Sequence, residues 1–266
     1  MLVSIYFYPR YPTHLFEFYH LKKIAWISLF LVVFAAVAGV VGYVLYSRLY
    51  RPQGISLSRK LFPVMGIDVS GHTRRVDFRK AKKQGFSFVF LKATEGATYL
   101  DKTFQSRYTQ SKQAGLPVGA YHFFKFNKPG KLQAINFLGQ VRGKSFELPL
   151  VLDIEEWQNP TLKSRKEIIK QIGEFLAVVE NKTGQRMLLY TNENGCRKFI
   201  KGHFSNDIWI CSFKHKPSIH KPWTFWQYSH KGQFSFAKGF VDINAFHGTN
   251  TQWQAYLRKK SWIIDE

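Results

Sequence analysis

The run Ile24–Tyr46, IAWISLFLVVFAAVAGVVGYVLY, carries no charged residue over 23 positions. A soluble domain needs one apolar stripe on a helix, whereas this segment is apolar all round. At about 1.5 Å rise per residue it is long enough to cross a hydrocarbon layer of roughly 30 Å. The chain is therefore expected to divide into an N-terminal tail (residues 1–23), a transmembrane helix (24–46), a basic linker (47–62) and one folded domain (63–266). The tail ends in Lys22-Lys23 and is assigned to the cytoplasm. Ala36-Val37-Ala38 has the small residues of a signal-peptidase site, but the apolar run continues past it, which favours an uncleaved anchor. Arg10, Lys22 and Lys23 on one side face Arg48, Arg51, Arg59 and Lys60 on the other, so charge alone does not orient the helix.

From Pro63 onward short apolar runs alternate with helical patterns, the signature of β-α units building a parallel sheet or barrel. Strands are expected at Val64–Val69, Phe86–Lys92, Pro117–Phe124, Leu148–Ile154, Met187–Thr191, Ile208–Ser212, Trp223–Tyr228 and Phe240–Asn244. Helices are expected at Asp77–Lys83, Phe104–Ala114, Gly130–Val141, Arg165–Lys182 and Glu193–Ile200. In the fourth, Ile168, Ile169, Ile172, Phe175, Leu176 and Val179 form one stripe, with Ser164-x-x-Glu167 as a capping box and Gly184 as a stop. The fold class is thus α/β: a β/α barrel of eight strands and about five helices, preceded by one transmembrane helix.

The formal charge is +22, of which Arg10, Lys22, Lys23, Arg48 and Arg51 against Glu17 supply +4, leaving +18 after residue 51. Such a domain is drawn to polyanions. No helix-turn-helix, zinc-finger or aromatic RNA-binding pattern is present, so a sequence-reading nucleic-acid module is not expected. No H-E-x-x-H or G-x-S-x-G occurs, and neither a metal nor a cofactor is called for. Cys196 and Cys211 fit a single disulfide or two free thiols equally well.

In β/α barrels the chemistry gathers where the strands end at their C-termini. By that rule Asp68, Asp153, Glu155 and Asp242 meet at one mouth, with Lys92, Tyr121, Tyr190, Trp226, Gln227 and Tyr228 ending neighbouring strands. Alternation along a strand aims Asp153 and Glu155 the same way and turns Glu156 out to solvent. Carboxylates rimmed by aromatic rings suit glycosidic cleavage: an acid for the leaving oxygen, an anion beside the cationic transition state, and flat faces on which sugars stack.

The motifs GIDVS (66–70), FVFLKATEG (88–96), GLPVGAYHF (115–123), LDIE (152–155), FWQYS (225–229) and VDIN (241–244) follow one another in an order that resembles the family 25 glycoside hydrolases, lysozymes acting on peptidoglycan. The resemblance spans about residues 64–248. It implies an irregular eight-stranded barrel that hydrolyses the β-1,4 bond between N-acetylmuramic acid and N-acetylglucosamine. Glu155 would then be the general acid and Asp153 its assistant at the anomeric centre, with retention aided by the substrate's N-acetyl group. Asp68 and Asp242 would shape the site's electrostatics, and Tyr121, Tyr190, Trp226, Gln227 and Lys92 would bind substrate. The implied partners are peptidoglycan glycan strands and, through the helix, a bacterial cytoplasmic membrane, with the barrel on the extracytoplasmic side. A non-catalytic wall-binding module on the same fold is the alternative; it predicts loss of one of the acids, and none is missing.

Overall fold

The computed structural model describes residues 13–49, 57–258 and 262–264, and the chain divides into two compact units, Met1–Pro52 and Gln53–Glu266. The first holds helix α1, Thr13–Leu49, which extends beyond the expected span at both ends. Its segment Lys22–Leu45 has a mean hydropathy of 2.7, and large side chains such as Trp26, Phe30 and Phe34 are exposed along it. The expected tail lies outside the described residues up to residue 12 and is helical from Thr13.

The second unit is a closed barrel of eight strands. These are β1 (Met65–Val69), β2 (Phe86–Glu95), β3 (Val118–Phe123), β4 (Val151–Asp153), β5 (Leu188–Asn192), β6 (Ile208–Cys211), β7 (Phe225–Gly232) and β8 (Val241–Phe246). Neighbours pair in chain order from β1 to β8, and β8 pairs back to β1, closing the ring. All pairs are parallel except those of β8, which runs antiparallel to both β7 and β1. Short two-residue strands, Tyr99–Leu100 on β2 and the pair Ser145–Phe146 with Trp262–Ile263, add to the edges.

Helices α2 (Phe78–Lys83), α3 (Phe104–Gln113), α4 (Gly130–Val141), α5 (Arg165–Thr183) and α6 (Glu193–Gly195, continuing as a π turn to Ile200) fall where the sequence places them. The capping box of α5 forms, and Gly184 ends it at φ 65°, a conformation that suits glycine. A further helix, α7 (Asn250–Arg258), was not expected from the sequence. Its apolar face is short, Trp253, Tyr256 and Leu257 packing on the base of the barrel, and of these Trp253 alone is fully buried.

Alternation along the strands sorts side chains into two cores. Outward residues such as Ile67, Leu91, Ala120, Leu152, Leu189 and Ile210 pack with Ile172, Phe175 and Val179 of the helices. Inward residues fill the base of the barrel with rings: Phe88, Phe90, Trp209, Phe225 and Phe246, closed below by Trp253 of α7. Phe90 stacks on Trp209 at 4.5 Å between centroids, and Phe246 meets Trp253 at 5.1 Å. Gly66 makes room for this layer, since a Cβ there would come within 2.3 Å of the Phe88 ring. The barrel is thus a plugged cup, and polar inward residues can stand only at its mouth.

Candidate active site

At the C-terminal ends of the parallel strands, the inward positions above the aromatic plug are Asp68 (β1), Lys92 (β2), Tyr121 (β3), Asp153 (β4), Tyr190 (β5), Cys211 (β6) and Gln227 (β7). Asp242 enters from β8, directly opposite Asp68 in the antiparallel register. A chain of hydrogen bonds fixes Asp68. The Trp209 indole N–H donates to Asn244 Oδ1 at 2.8 Å, and Asn244 Nδ2 donates to Asp68 Oδ2 at 2.8 Å. Tyr190 OH donates to Gln227 Oε1 at 2.7 Å, and Gln227 Nε2 donates to the same Asp68 oxygen at 2.9 Å. Because an indole can only donate, it fixes which end of Asn244 faces the carboxylate.

The four acids are held against their preference to ionise. Burial raises Asp68 from 3.8 to about 6, against the lowering effect of its Asn244 and Gln227 donors. Burial, and then the charge of and contact with Asp68, push Asp242 well above the usual range. Glu155 is raised from 4.5 to about 7, first by burial and then by the charge of Asp68. Asp153 is raised well above its ordinary value by burial and by the charge of Glu155, and its Oδ1 has no hydrogen-bond partner. Each of the two carboxylates thus opposes ionisation of its neighbour. Asp153 is enclosed whereas Glu155 is partly exposed, so Glu155 is the member that an incoming ligand reaches.

Lys92 is 7% exposed and its Nζ lies 2.7 Å from Glu95 Oε2; its charge favours ionisation of both Asp153 and Glu155. Burial works against Glu95, but the hydrogen bond and charge of Lys92, with Lys125, hold its carboxyl below the ordinary value. The mouth therefore keeps one compensated ion pair beside a carboxylate group that is under-compensated.

Several expectations change in detail. Strand β4 stops at Asp153, so Glu155 stands on a loop rather than on the strand; Ile154 N still donates to Tyr190 O at 2.8 Å and carries the backbone on. Trp226 is not in the mouth. It is 1% exposed in the outer core, touching Phe62 and Trp223, and its indole donates to Ser212 O at 2.8 Å. Alternation on β7 is the reason: Gln227 points in, so Trp226 must point out. Glu156 faces away from the mouth but is not merely solvated, for Asn194 Nδ2 and Lys198 Nζ donate to its two oxygens at 2.7 and 2.8 Å. Both cysteines are free thiols, Cys211 inward at the mouth and Cys196 beneath the loop that carries His220.

Asn159 is the residue that sequence reasoning missed with the greatest structural consequence. Its Oδ1 accepts from Phe126 N at 2.9 Å, and its Nδ2 donates to Phe124 O at 2.6 Å and to Glu155 O at 3.0 Å. It ties the loop bearing Glu155 to the end of β3. Asn159→Ala would leave several buried backbone groups unpaired, each costing on the order of 1–3 kcal/mol. A fall in unfolding free energy of at least about 2 kcal/mol in urea titration is expected, and a change within error would remove this role. Asn244, by contrast, had a signal: it follows Asp242 by two residues in VDIN and so shares its inward face.

Residues 67–236 match the family described as Glycosyl hydrolases family 25. Lysozyme M1 of Streptomyces globisporus is 36% identical over 203 residues, covering 70% of this chain and 68% of that protein. YegX of Escherichia coli strain K12, described as uncharacterized, is 32% identical over 204 residues, covering 74% of each. A family 25 glycosyl hydrolase structure from Bacillus anthracis superposes with a TM-score of 0.70 at 32% identity, covering 77% of this chain and 97% of that one.

Proposed function

Since this chain belongs to glycosyl hydrolases family 25 and is by that membership a glycoside hydrolase, we propose that it cleaves the N-acetylmuramic acid to N-acetylglucosamine β-1,4 bond of peptidoglycan, with Glu155 as general acid. The observation that carries this reading is the mouth itself: four carboxyl groups brought together from β1, β4 with its following loop, and β8, of which the partly exposed one, Glu155, is raised to about 7. A carboxyl in that range holds its proton near neutrality and can give it to a leaving glycosidic oxygen.

Asp153 assists. With no hydrogen-bond donor on its Oδ1, it is free to accept one from the substrate's acetamido N–H and to steady the positive charge that develops when that group attacks the anomeric carbon. Asp68 and Asp242 supply negative potential beneath the oxocarbenium-like centre, Asp68 being fixed by Asn244 and Gln227. Tyr121 and Tyr190 line the cup, and Lys92 offers a cation at its edge. Because peptidoglycan lies outside the cytoplasm, the reading places residues 47–266 on the extracytoplasmic side of a bacterial membrane, held there by α1.

Digestion of purified peptidoglycan by the full chain in detergent, followed by mass spectrometry, tests the bond assignment. Fragments ending in reducing N-acetylmuramic acid are expected. Reducing N-acetylglucosamine ends would reassign the bond, and tight binding without fragments would instead support a wall-binding module.

A further inference from the structure

The end of the barrel opposite the mouth is ringed by cations whose partners are mostly neutral. Arg59, ahead of β1, donates to Gln84 O and Gly85 O, ahead of β2. Lys82 donates to Gly115 O, ahead of β3, at 2.8 Å. Lys221, ahead of β7, donates to Ser205 O and Asn206 O, ahead of β6. These side chains staple successive loops together, yet a carbonyl carries no net charge, so the positive charge of each remains. Lys60, Lys83 and Lys201 stand exposed at the same end. Among the described residues the acids here are Glu147, already engaged by Lys112 and by Val118 N, Glu180, shared by Arg186, Asn206 and Met187 N, and Asp207.

Two further features select the partner. Leu61, beside Arg59 and Lys60, is 74% exposed, an apolar side chain in a ring of cations. The chain also enters the barrel at this end, and only residues 47–56 separate Leu57 in sequence from the uncharged segment that ends at Tyr46.

We propose that this basic end docks on the headgroups of anionic phospholipid, with Leu61 entering the headgroup boundary. The proposal rests on α1 being a membrane anchor. Cations near a negatively charged bilayer are attracted within a Debye length of about 8 Å at physiological salt, and an apolar side chain among them gains by leaving water. The loops of the mouth also carry exposed cations, Arg74, Arg75, Lys102, Lys128, Lys214 and Lys238 among them, so charge alone does not choose between the ends; the entry of the chain and the exposed Leu61 choose this one. Docking thus presents the mouth away from lipid, toward the glycan strands, and an anionic wall polymer at the base would do the reverse.

The test uses the full chain in nanodiscs of phosphatidylcholine alone or with phosphatidylglycerol, read by hydrogen exchange. Slower exchange is expected in residues 82–85, 114–117 and 201–206 in the anionic discs only. It should reverse in 0.5 M salt and vanish in the triple variant Lys60→Glu, Lys83→Glu, Lys201→Glu, while residues 155–162 at the mouth stay unchanged. Equal exchange in both discs, or protection at the mouth instead, overturns the proposal. If the chain does not remain with the discs, the anchor reading fails. Flotation of the chain with phosphatidylglycerol but not phosphatidylcholine vesicles would then still support docking, and no flotation would overturn it.

Discussion

Glu155→Gln is expected to reduce hydrolysis of peptidoglycan by about a thousand-fold or more, in line with the 10²–10⁴ that a positioned general acid contributes. Glutamine keeps the size of the side chain but has no proton to give. The fold should survive, because Glu155 stands on a loop whose backbone is held by Asn159 and its neighbours rather than by its own carboxyl. Binding of undigested glycan should change little. The measurement is the release of reducing ends under single-turnover conditions, with pull-down on insoluble peptidoglycan as the control. A variant retaining a tenth of the activity would sink the assignment of Glu155.

Asp68→Asn is expected to shift the pH profile as well as the rate. As the proposed general acid, Glu155 would act in its protonated form, and its value of about 7 would set the alkaline limb of activity. The negative charge of Asp68 is second only to burial in raising it. Removing that charge lowers the Glu155 value, so the alkaline limb moves to lower pH, and the maximal rate falls by roughly a hundred-fold as transition-state stabilisation is lost. Geometry is preserved, since an asparagine carbonyl can accept from both Gln227 Nε2 and Asn244 Nδ2 while its amide faces Asp242.

Stability moves the other way. Asp68 is raised from 3.8 to about 6 on folding, so its favourable contribution is complete below 3.8 and is lost as pH rises through 6. The wild-type melting temperature should therefore drop between pH 4 and 7, and Asp68→Asn should lessen that drop. An unmoved alkaline limb, or a melting curve that keeps its full pH dependence in the variant, would contradict this account of the site.

The mouth costs stability for a reason connected to function. Four carboxyl groups share a half-enclosed space with one nearby lysine, and that lysine is already shared with Glu95. A site selected for stability alone would add cations, and this chain has many to spare at its other end.

How far the sequence was legible depended on whether local pattern or long-range contact decided each element. The apolar run in α1, the stripe and capping box of α5 and the eight strand positions follow from periodicity and turn residues, which are local. Asp68 and Asp153 were legible for the same reason, period-two alternation with the barrel rule, whereas Glu155 lies on the loop past β4 and Asp242 reaches the mouth from the start of the antiparallel β8. Trp226 escaped that rule only because one residue on a strand, not its neighbour, faces inward, and the inward register of β7 is fixed by the Gln227 contact with Asp68. The helix α7 escaped because its apolar face, Trp253, Tyr256 and Leu257, is little more than one turn long.

The residue order by itself determined the class of fold, the membrane-length segment, the family resemblance and the identity of the carboxylates. Tertiary structure alone decided their state and surroundings. Asp68 and Asp242 are 174 residues apart in sequence, yet directly paired. The proton affinity of Glu155 comes from burial and a charge contributed by a different strand, and the basic end arises from loops scattered across the whole domain. Desolvation and Coulomb interaction act through space, and a linear sequence does not record which groups closure of the barrel will bring together.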